Sequence, residues 1–223
     1  DYPDALQLAQ RGNVFRTAAF QEGLFEVQDA ASQTVAPFLE VAPGMRVIDA
    51  CAGAGGKTLQ LAALMQNKGQ LIGLDIYPQK LKELKKRAKR AKVFNIETRL
   101  ISDAKVIKRL KNSADRVLID APCTGLGVLR RNPDSKWKLE PAFLERVCVT
   151  QQELLQNYSG MLRPEGVLVY ATCSLLPNEN SDQVQTFLKS ESGAGFRLVE
   201  ERSMYASVDG FDGFYMARLK RVE

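Results

Sequence analysis

Residues 45–58, MRVIDACAGAGGKT, run from an apolar stretch through an acid into a glycine turn and on to a helix start. Glycines at such a junction let the backbone turn sharply and approach a ligand closely. The text beyond it keeps alternating in the same way. Strands are predicted at 45–50, 70–76 (QLIGLDI), 96–101 (IETRLI), 115–120 (DRVLID) and 166–172 (GVLVYAT), and helices at 56–67, 78–92, 141–161 and 178–190. The strands are nearly continuous apolar runs, as expected where helices cover both faces of a sheet. Strand–helix alternation implies a doubly wound, mostly parallel α/β sheet with right-handed crossovers. Two late strands, 196–200 (FRLVE) and 213–219 (GFYMARL), follow the last helix and are expected to form an antiparallel edge. The DGFDG run at 209–213 reads as a tight turn.

The 223 residues fit one large domain, and a hydrophobic content of 45% is ordinary for a globular chain. No apolar run approaches the roughly 18 residues that span a bilayer, and no charged-then-apolar leader is present, so a cytoplasmic protein without membrane association is expected. The chain begins Asp1-Tyr2 without an initiator Met and reads as a processed or excised piece. It contains no histidine, and its cysteines (Cys51, Cys123, Cys148, Cys173) form no CxxC pair. That excludes Ser-His-Asp and Cys-His catalysis and argues against a zinc site; no metal is expected and the thiols should be reduced. A monomer is expected. The net charge of +5 is local: residues 80–92 carry eight Lys/Arg against one Glu, a charge of +7, which leaves −2 elsewhere. Leu81, Leu84, Ala88 and Ala91 give that stretch one apolar helical face. Its basic face reads either as a solvated surface or as a phosphate-binding patch of Lys85, Lys86, Lys89 and Arg90.

Three ligand loops compete for residues 49–58. A P-loop requires Gly at position 51, where Cys51 stands. A dinucleotide fingerprint beginning at Gly53-Ala54-Gly55 requires Gly at position 58, where Thr58 stands. The third is the S-adenosylmethionine loop of doubly wound methyltransferases, in which an acid ends the strand and a glycine turn follows. Asp75 ends the second strand, where a carboxylate suits ribose hydroxyls. Asp103 follows the third strand and suits the adenine edge; Asp120 ends the fourth. With Asp49 these acids either rim one side of the sheet or are ordinary solvated loop carboxylates.

Asp120-Ala121-Pro122-Cys123 and Thr172-Cys173-Ser174 each close a predicted buried strand. Ligands bind outside the carboxyl ends of the strands in such sheets, so thiols from two strands can converge on one substrate. Beside a methyl donor, paired thiols suit a target carbon too poorly nucleophilic to take the methyl directly, such as cytosine C5. Thiolate addition at C6 pushes electron density onto C5, and the adduct must afterwards lose the C5 proton and expel the sulfur. Buried core thiols are the plain alternative.

These residues resemble the catalytic core of the RNA (cytosine-5) methyltransferases of the Sun family. The matching segments are 27–33 (VQDAASQ), 49–58, 120–125 (DAPCTG), 170–174 (YATCS) with Pro177, Glu179 and Asn180, and 212–214 (DGF). The resemblance implies a seven-stranded Rossmann-like methyltransferase sheet over 41–223, S-adenosylmethionine as cofactor, and RNA as substrate, ribosomal first and transfer second. It implies Cys173 as the nucleophile, Cys123 as the cysteine assisting adduct breakdown, and Asp120 at the base edge near N3 and beside the cofactor. The DNA enzymes use the Pro-Cys cysteine instead, which keeps Cys123 as the alternative nucleophile. The cofactor site is expected from Cys51, Ala52, Gly53, Ala54, Gly55, Gly56, Lys57, Asp75, Asp103 and Asp120. Cys51 reads as lining that loop, Cys148 as core.

Two features depart from the family pattern. Ala54 replaces the usual loop proline, and residues 1–26 are too short for the RNA-binding region such enzymes usually carry, so residues 1–40 read as the remnant of one. Arg130, Arg131, Lys136 and Lys138 surround Trp137, which either stacks on an RNA base or pins its loop to the core. A catalytically silent RNA-binding or assembly module, and a methyltransferase acting on another nucleophile, are the competing functions.

Overall fold

The strand expected at 45–50 forms as β1, Arg46–Asp49, and six more follow: β2 Gln70–Asp75, β3 Ile96–Leu100, β4 Ala114–Asp120, β5 Leu162–Thr172, β6 Phe196–Met204 and β7 Phe214–Arg221. The computed structural model describes residues 4–10 and 12–222, with the side chain of Lys138 excepted. The chain start Asp1-Tyr2 and the flanking cation of Lys138 therefore lie outside the described residues. The seven strands make one sheet of order β3-β2-β1-β4-β5-β7-β6. The first five pair in parallel, and β7 runs antiparallel to both β5 and β6, which gives the expected edge. Chain order reverses between β1 and β4, so the ligand crevice of a doubly wound sheet opens at the ends of those two strands.

Two strands are longer than their apolar runs. β5 begins at Leu162 because Pro164, which cannot donate to a ladder, sits in a bulge where β4 and β5 change register. β6 continues through Glu200, Glu201 and Arg202 to Met204, since an edge strand alternates and tolerates charge. The DGFDG run lies in the connection that joins the antiparallel pair β6 and β7, where Gly210 takes a left-handed conformation and ends a one-turn helix at Ala206–Asp209.

Short helices Ala18–Gln21 (α1), Ala30–Gln33 (α2) and Val35–Phe38 (α3) precede the sheet. The sheet is then covered by α4 Gly56–Leu64, α5 Pro78–Arg90, α6 Ala104–Lys108, α7 Ser135–Lys138, α8 Pro141–Tyr158 and α9 Ser181–Leu188. Alternation along the strands splits the core in two. Ile48, Ile72, Ile119, Leu168 and Tyr170 face Leu155 of α8 and Phe187 of α9. Val47, Leu71, Leu118 and Val169 face Leu61 of α4 together with Val35, Phe38 and Leu39. Burying each such side chain contributes about 1.5–3 kcal/mol, so residues 31–39 are integral to this core. No helix among the described residues is long and apolar enough to cross a membrane.

The basic helix α5 divides its cations. Leu81, Leu84 and Ala88 face the sheet. Arg87 donates to the Ala54 carbonyl and to Glu26, both at 2.9 Å. Arg90 also pairs with Glu26 and stacks 3.9 Å from the Phe20 ring centre. These two arginines hold residues 20–26 against the domain, which removes Arg90 from any solvated patch. Lys82, Lys85, Lys86 and Lys89 remain exposed.

Candidate active site

Outside the ends of β1, β2 and β4 lies a cleft of about 580 Å³. The turn that shapes it needs glycine at position 55: the φ there is +94°, and a Cβ would sit 2.2 Å from Leu84 Cδ1. Asp75 locks the turn from the next strand, accepting from the Gly53 N–H at 2.9 Å and the Tyr77 N–H at 2.8 Å. Of the expected cofactor residues, Cys51, Ala52, Gly53, Ala54, Gly56, Lys57, Asp75 and Asp120 line the cleft. Gly55 supports it from behind. Asp103 is exposed and is not among the lining residues; its carboxylate caps α6 by accepting from the Lys105 N–H at 2.7 Å. Sequence reasoning passed over Gln28, Ser32, Ile76, Ile101 and Leu154, which supply much of the wall. Ile76 and Ile101 each come directly after or just beyond a strand end, a position that could have flagged them.

Asp49 does not join a solvated acidic rim. It is 1% exposed, and its Oδ2 accepts from the Thr58 hydroxyl at 2.7 Å. Burial, against that hydrogen bond, pushes its pKa up to about 7, with the charge of Asp120 adding to the rise. A carboxyl whose folded pKa is raised binds more protons folded than unfolded, so stability falls as pH rises from about 4 to about 7. The loss is roughly 4 kcal/mol for a shift of this size. The Asp49→Asn variant should lack that slope. Urea midpoints of the two chains between pH 4.5 and pH 8 check it; parallel profiles would contradict it.

The two strand-end thiols meet. Cys123 Sγ lies 3.3 Å from Cys173 Sγ. Cys173 is held below the ordinary thiol range, chiefly by the hydrogen bond from Cys123 and further by the Lys57 ammonium, against burial and the Asp120 charge. Cys123 is pushed well up by the same hydrogen bond, by burial and by the charge of Cys173. The two shifts favour Cys123 as the protonated member of the pair and Cys173 as the one nearer its thiolate form. Burial and the Asp49, Asp120 and Asp75 charges push Cys51 up, and burial pushes Cys148 up. Cys173 alone among the four cysteines is favoured as thiolate, the nucleophilic form. Lys57 joins the two halves of the site: its Nζ lies 2.8 Å from Asp120 Oδ2 and 5.0 Å from the Phe214 ring centre.

Several neighbours were hidden in the sequence. Arg131 is not free for RNA; it pairs with Asp212, which is 2% exposed, at 2.6 Å. Asp212 in turn donates its N–H to Asp29 Oδ1 at 3.3 Å, which brings the 27–33 and 212–214 segments together. Arg130 is likewise spent on the Gly210 carbonyl. Trp137 does not pin its loop to the core: it is 80% exposed, with the Lys136 ammonium 4.8 Å from its ring centre. Cys148 is not core either. It is half-buried on α8 and donates to the Asn178 carbonyl at 3.3 Å.

Residues 36–220 match the family model described as 16S rRNA methyltransferase RsmB/F. The ribosomal RNA small subunit methyltransferase B of Pasteurella multocida is 35% identical over 237 residues, covering 100% of this chain and 52% of that protein. The protein of the same name from Pseudomonas syringae pv. tomato is 34% identical over 236 residues, covering 98% of this chain and 52% of its own length. The chain thus spans about half the length of the curated relatives it matches. The crystal structure of NSun6 from Pyrococcus horikoshii, solved with the S-adenosylmethionine analogue SFG, has a TM-score of 0.85 at 30% identity, covering 96% of this chain and 57% of that one. A methyltransferase homolog protein from Pyrococcus horikoshii has a TM-score of 0.83 at 28% identity, covering 96% and 73% respectively.

Proposed function

The chain belongs to the 16S rRNA methyltransferase RsmB/F family, and on that premise we propose that it methylates C5 of a cytosine in ribosomal RNA through a covalent cysteine adduct. The observation that carries this reading is the 3.3 Å sulfur pair beside the cleft, in which the surroundings of Cys173 lower its thiol pKa. S-adenosylmethionine fits the cleft: its volume is in the range of about 300–1,000 Å³ usual for cofactor sites. A locked glycine turn, the Asp75 carboxylate and the apolar Ile76, Ile101 and Leu154 line it, which suits an adenosyl ligand carrying one cation. When bound, that cofactor supplies an electrophilic methyl group.

The chain's own residues do the rest. The target cytosine leaves its stack to reach the sulfurs, as chemistry on a base requires. Cys173 Sγ bonds to C6, and the ring's electron density moves to C5. Asp120 turns Oδ2 to Lys57 and keeps Oδ1 for the base edge near N3. After C5 has been methylated, its proton leaves to a base and the C6–S bond breaks, returning Cys173 as thiolate. Cys123 is the group beside that bond. The exposed Trp137 with Lys136, and the lysines on the outer face of α5, are the surfaces suited to RNA.

Total RNA incubated with the protein and S-adenosylmethionine, then mapped for 5-methylcytosine, tests the reading. A modified cytosine in small-subunit ribosomal RNA is the expected result; one in transfer RNA would move the substrate class. Absence of methylation in every RNA would favour the silent module. The Trp137→Ala variant, folded normally, should raise the RNA KM by about 5- to 150-fold, as loss of one base stack worth about 1–3 kcal/mol requires. An unchanged KM would remove Trp137 from the RNA path.

A further inference from the structure

Both cysteines lie on turns, and turns do not hold two sulfurs 3.3 Å apart unless something ties them together. The carboxylate of Glu179, 0% exposed, occupies the space between the two turns. On the Cys123 side, its Oε1 accepts from the Thr124 N–H at 2.8 Å and its Oε2 from the Thr124 hydroxyl at 2.5 Å. On the Cys173 side, its Oε2 accepts from the Ser174 hydroxyl. Gln151 of α8 adds a donation to Oε1 at 3.2 Å, and the same amide holds the Pro122 carbonyl at 2.9 Å. Four neutral donors thus satisfy both oxygens of one buried carboxylate.

The backbone around Glu179 is fixed in its turn. Its carbonyl accepts from the Tyr170 hydroxyl at 2.7 Å. The next residue, Asn180, accepts from the Thr172 hydroxyl at 2.5 Å and donates to the Ser174 carbonyl at 3.0 Å. Glu179 is therefore anchored to the Cys173 strand and reaches across to the Cys123 turn.

We propose that Glu179 is the positioning residue that sets the spacing of the two sulfurs, by tying the turn after Cys123 to the turn after Cys173. The proposal deepens the covalent reading above and rests on it for its catalytic consequence. Glu179 touches neither sulfur and acts through Thr124 and Ser174. Glutamine in its place has the same size but no charge, and its amide must face the Thr124 and Ser174 hydroxyls, which then have to accept where they now donate to a carboxylate. The charge-assisted hydrogen bonds that tie the two turns become weaker neutral ones, and a displacement of about 1 Å can cost on the order of 10²-fold in rate.

The test compares the wild-type chain with Glu179→Gln and Thr124→Val. The first readout is independent of methylation. Diamide, an azo oxidant, takes two electrons and two protons from a thiol pair, becoming the hydrazine while a disulfide forms. Mass spectrometry of the linked peptide follows the Cys123–Cys173 bridge. Glu179→Gln should slow bridging at least tenfold, with S-adenosylmethionine affinity unchanged, and Thr124→Val should slow it less. The second readout is kcat, expected to fall about 100-fold in Glu179→Gln with the RNA KM little changed. Bridging at the wild-type rate in a folded Glu179→Gln would overturn the proposal; should that variant fail to fold, wild-type bridging in Thr124→Val would do so. If the wild type methylates no RNA while the variants still slow bridging, the covalent reading fails and the clamp stands.

Discussion

Replacing Cys173 by alanine is expected to reduce methyl transfer to background, with the cofactor still bound. The loss should be on the order of 10⁶-fold, the scale observed when an enzymatic nucleophile is deleted. The reason is electronic. Cytosine C5 is not nucleophilic enough to take a methyl group until a sulfur at C6 has turned the ring into an enamine. Cys173 is the thiol whose surroundings favour the anion: Cys123 donates to it and Lys57 lies near it. Cys51 cannot stand in, because three aspartates and burial hold it protonated. Labelled methyl incorporation into RNA, alongside S-adenosylmethionine affinity, measures the effect. Undiminished transfer by Cys173→Ala would leave a methyltransferase that needs no sulfur and would sink the adduct. Serine at position 173 should be equally inactive, since its hydroxyl offers no accessible anion here.

The sheet was legible because buried parallel strands are written as apolar runs, and the antiparallel edge because two strands follow the last helix. What escaped was irregular or distant. Pro164 reads as a break, yet the bulge admits it and β5 starts upstream. Residues 30–38 fold as two one-turn helices, one containing Pro37, so no helical period is present to read although Val35 and Leu39 are fully buried. The site divides in the same way. The cofactor turn and both cysteines are local strings at strand ends, and their residues come together around the cleft or beside it. Partners that decide behaviour are separated by long stretches of chain: Thr124 from Glu179, Arg131 from Asp212, Cys123 from Cys173. A charged residue in the sequence does not disclose whether it faces solvent or a partner. For that reason Asp49 and Arg90 prove less exposed than a solvated reading expects, while Arg131 is exposed but paired with Asp212.

Cys123→Ala should arrest the reaction after the first bond rather than before it. In the resting site Cys123 is held as a thiol for two reasons that depend on its neighbour: it donates to Cys173, and the Cys173 charge opposes a second anion. Once Cys173 is bonded to C6 it is a neutral thioether, and both reasons vanish. Burial and Glu179 still oppose ionisation, but the barrier to losing the Cys123 proton is lowered at the stage when a base is needed. On the proposed mechanism Cys123 gives its proton to solvent, its thiolate takes the C5 proton as the C6–S bond breaks, and Cys173 leaves as the thiolate that the site favours. In that proposed mechanism the order of events is set by the pair itself, one sulfur activated first and the other released by its consumption. Without Cys123, turnover should fall by about 10²–10⁴-fold, the usual contribution of a positioned general base. A denaturation-resistant protein–RNA complex containing ordinary cytosine should accumulate, visible as a shifted band on a denaturing gel. RNA carrying 5-fluorocytosine should trap the wild type and Cys123→Ala alike, and Cys173→Ala not at all. Trapping by Cys173→Ala but not by Cys123→Ala would exchange the two roles.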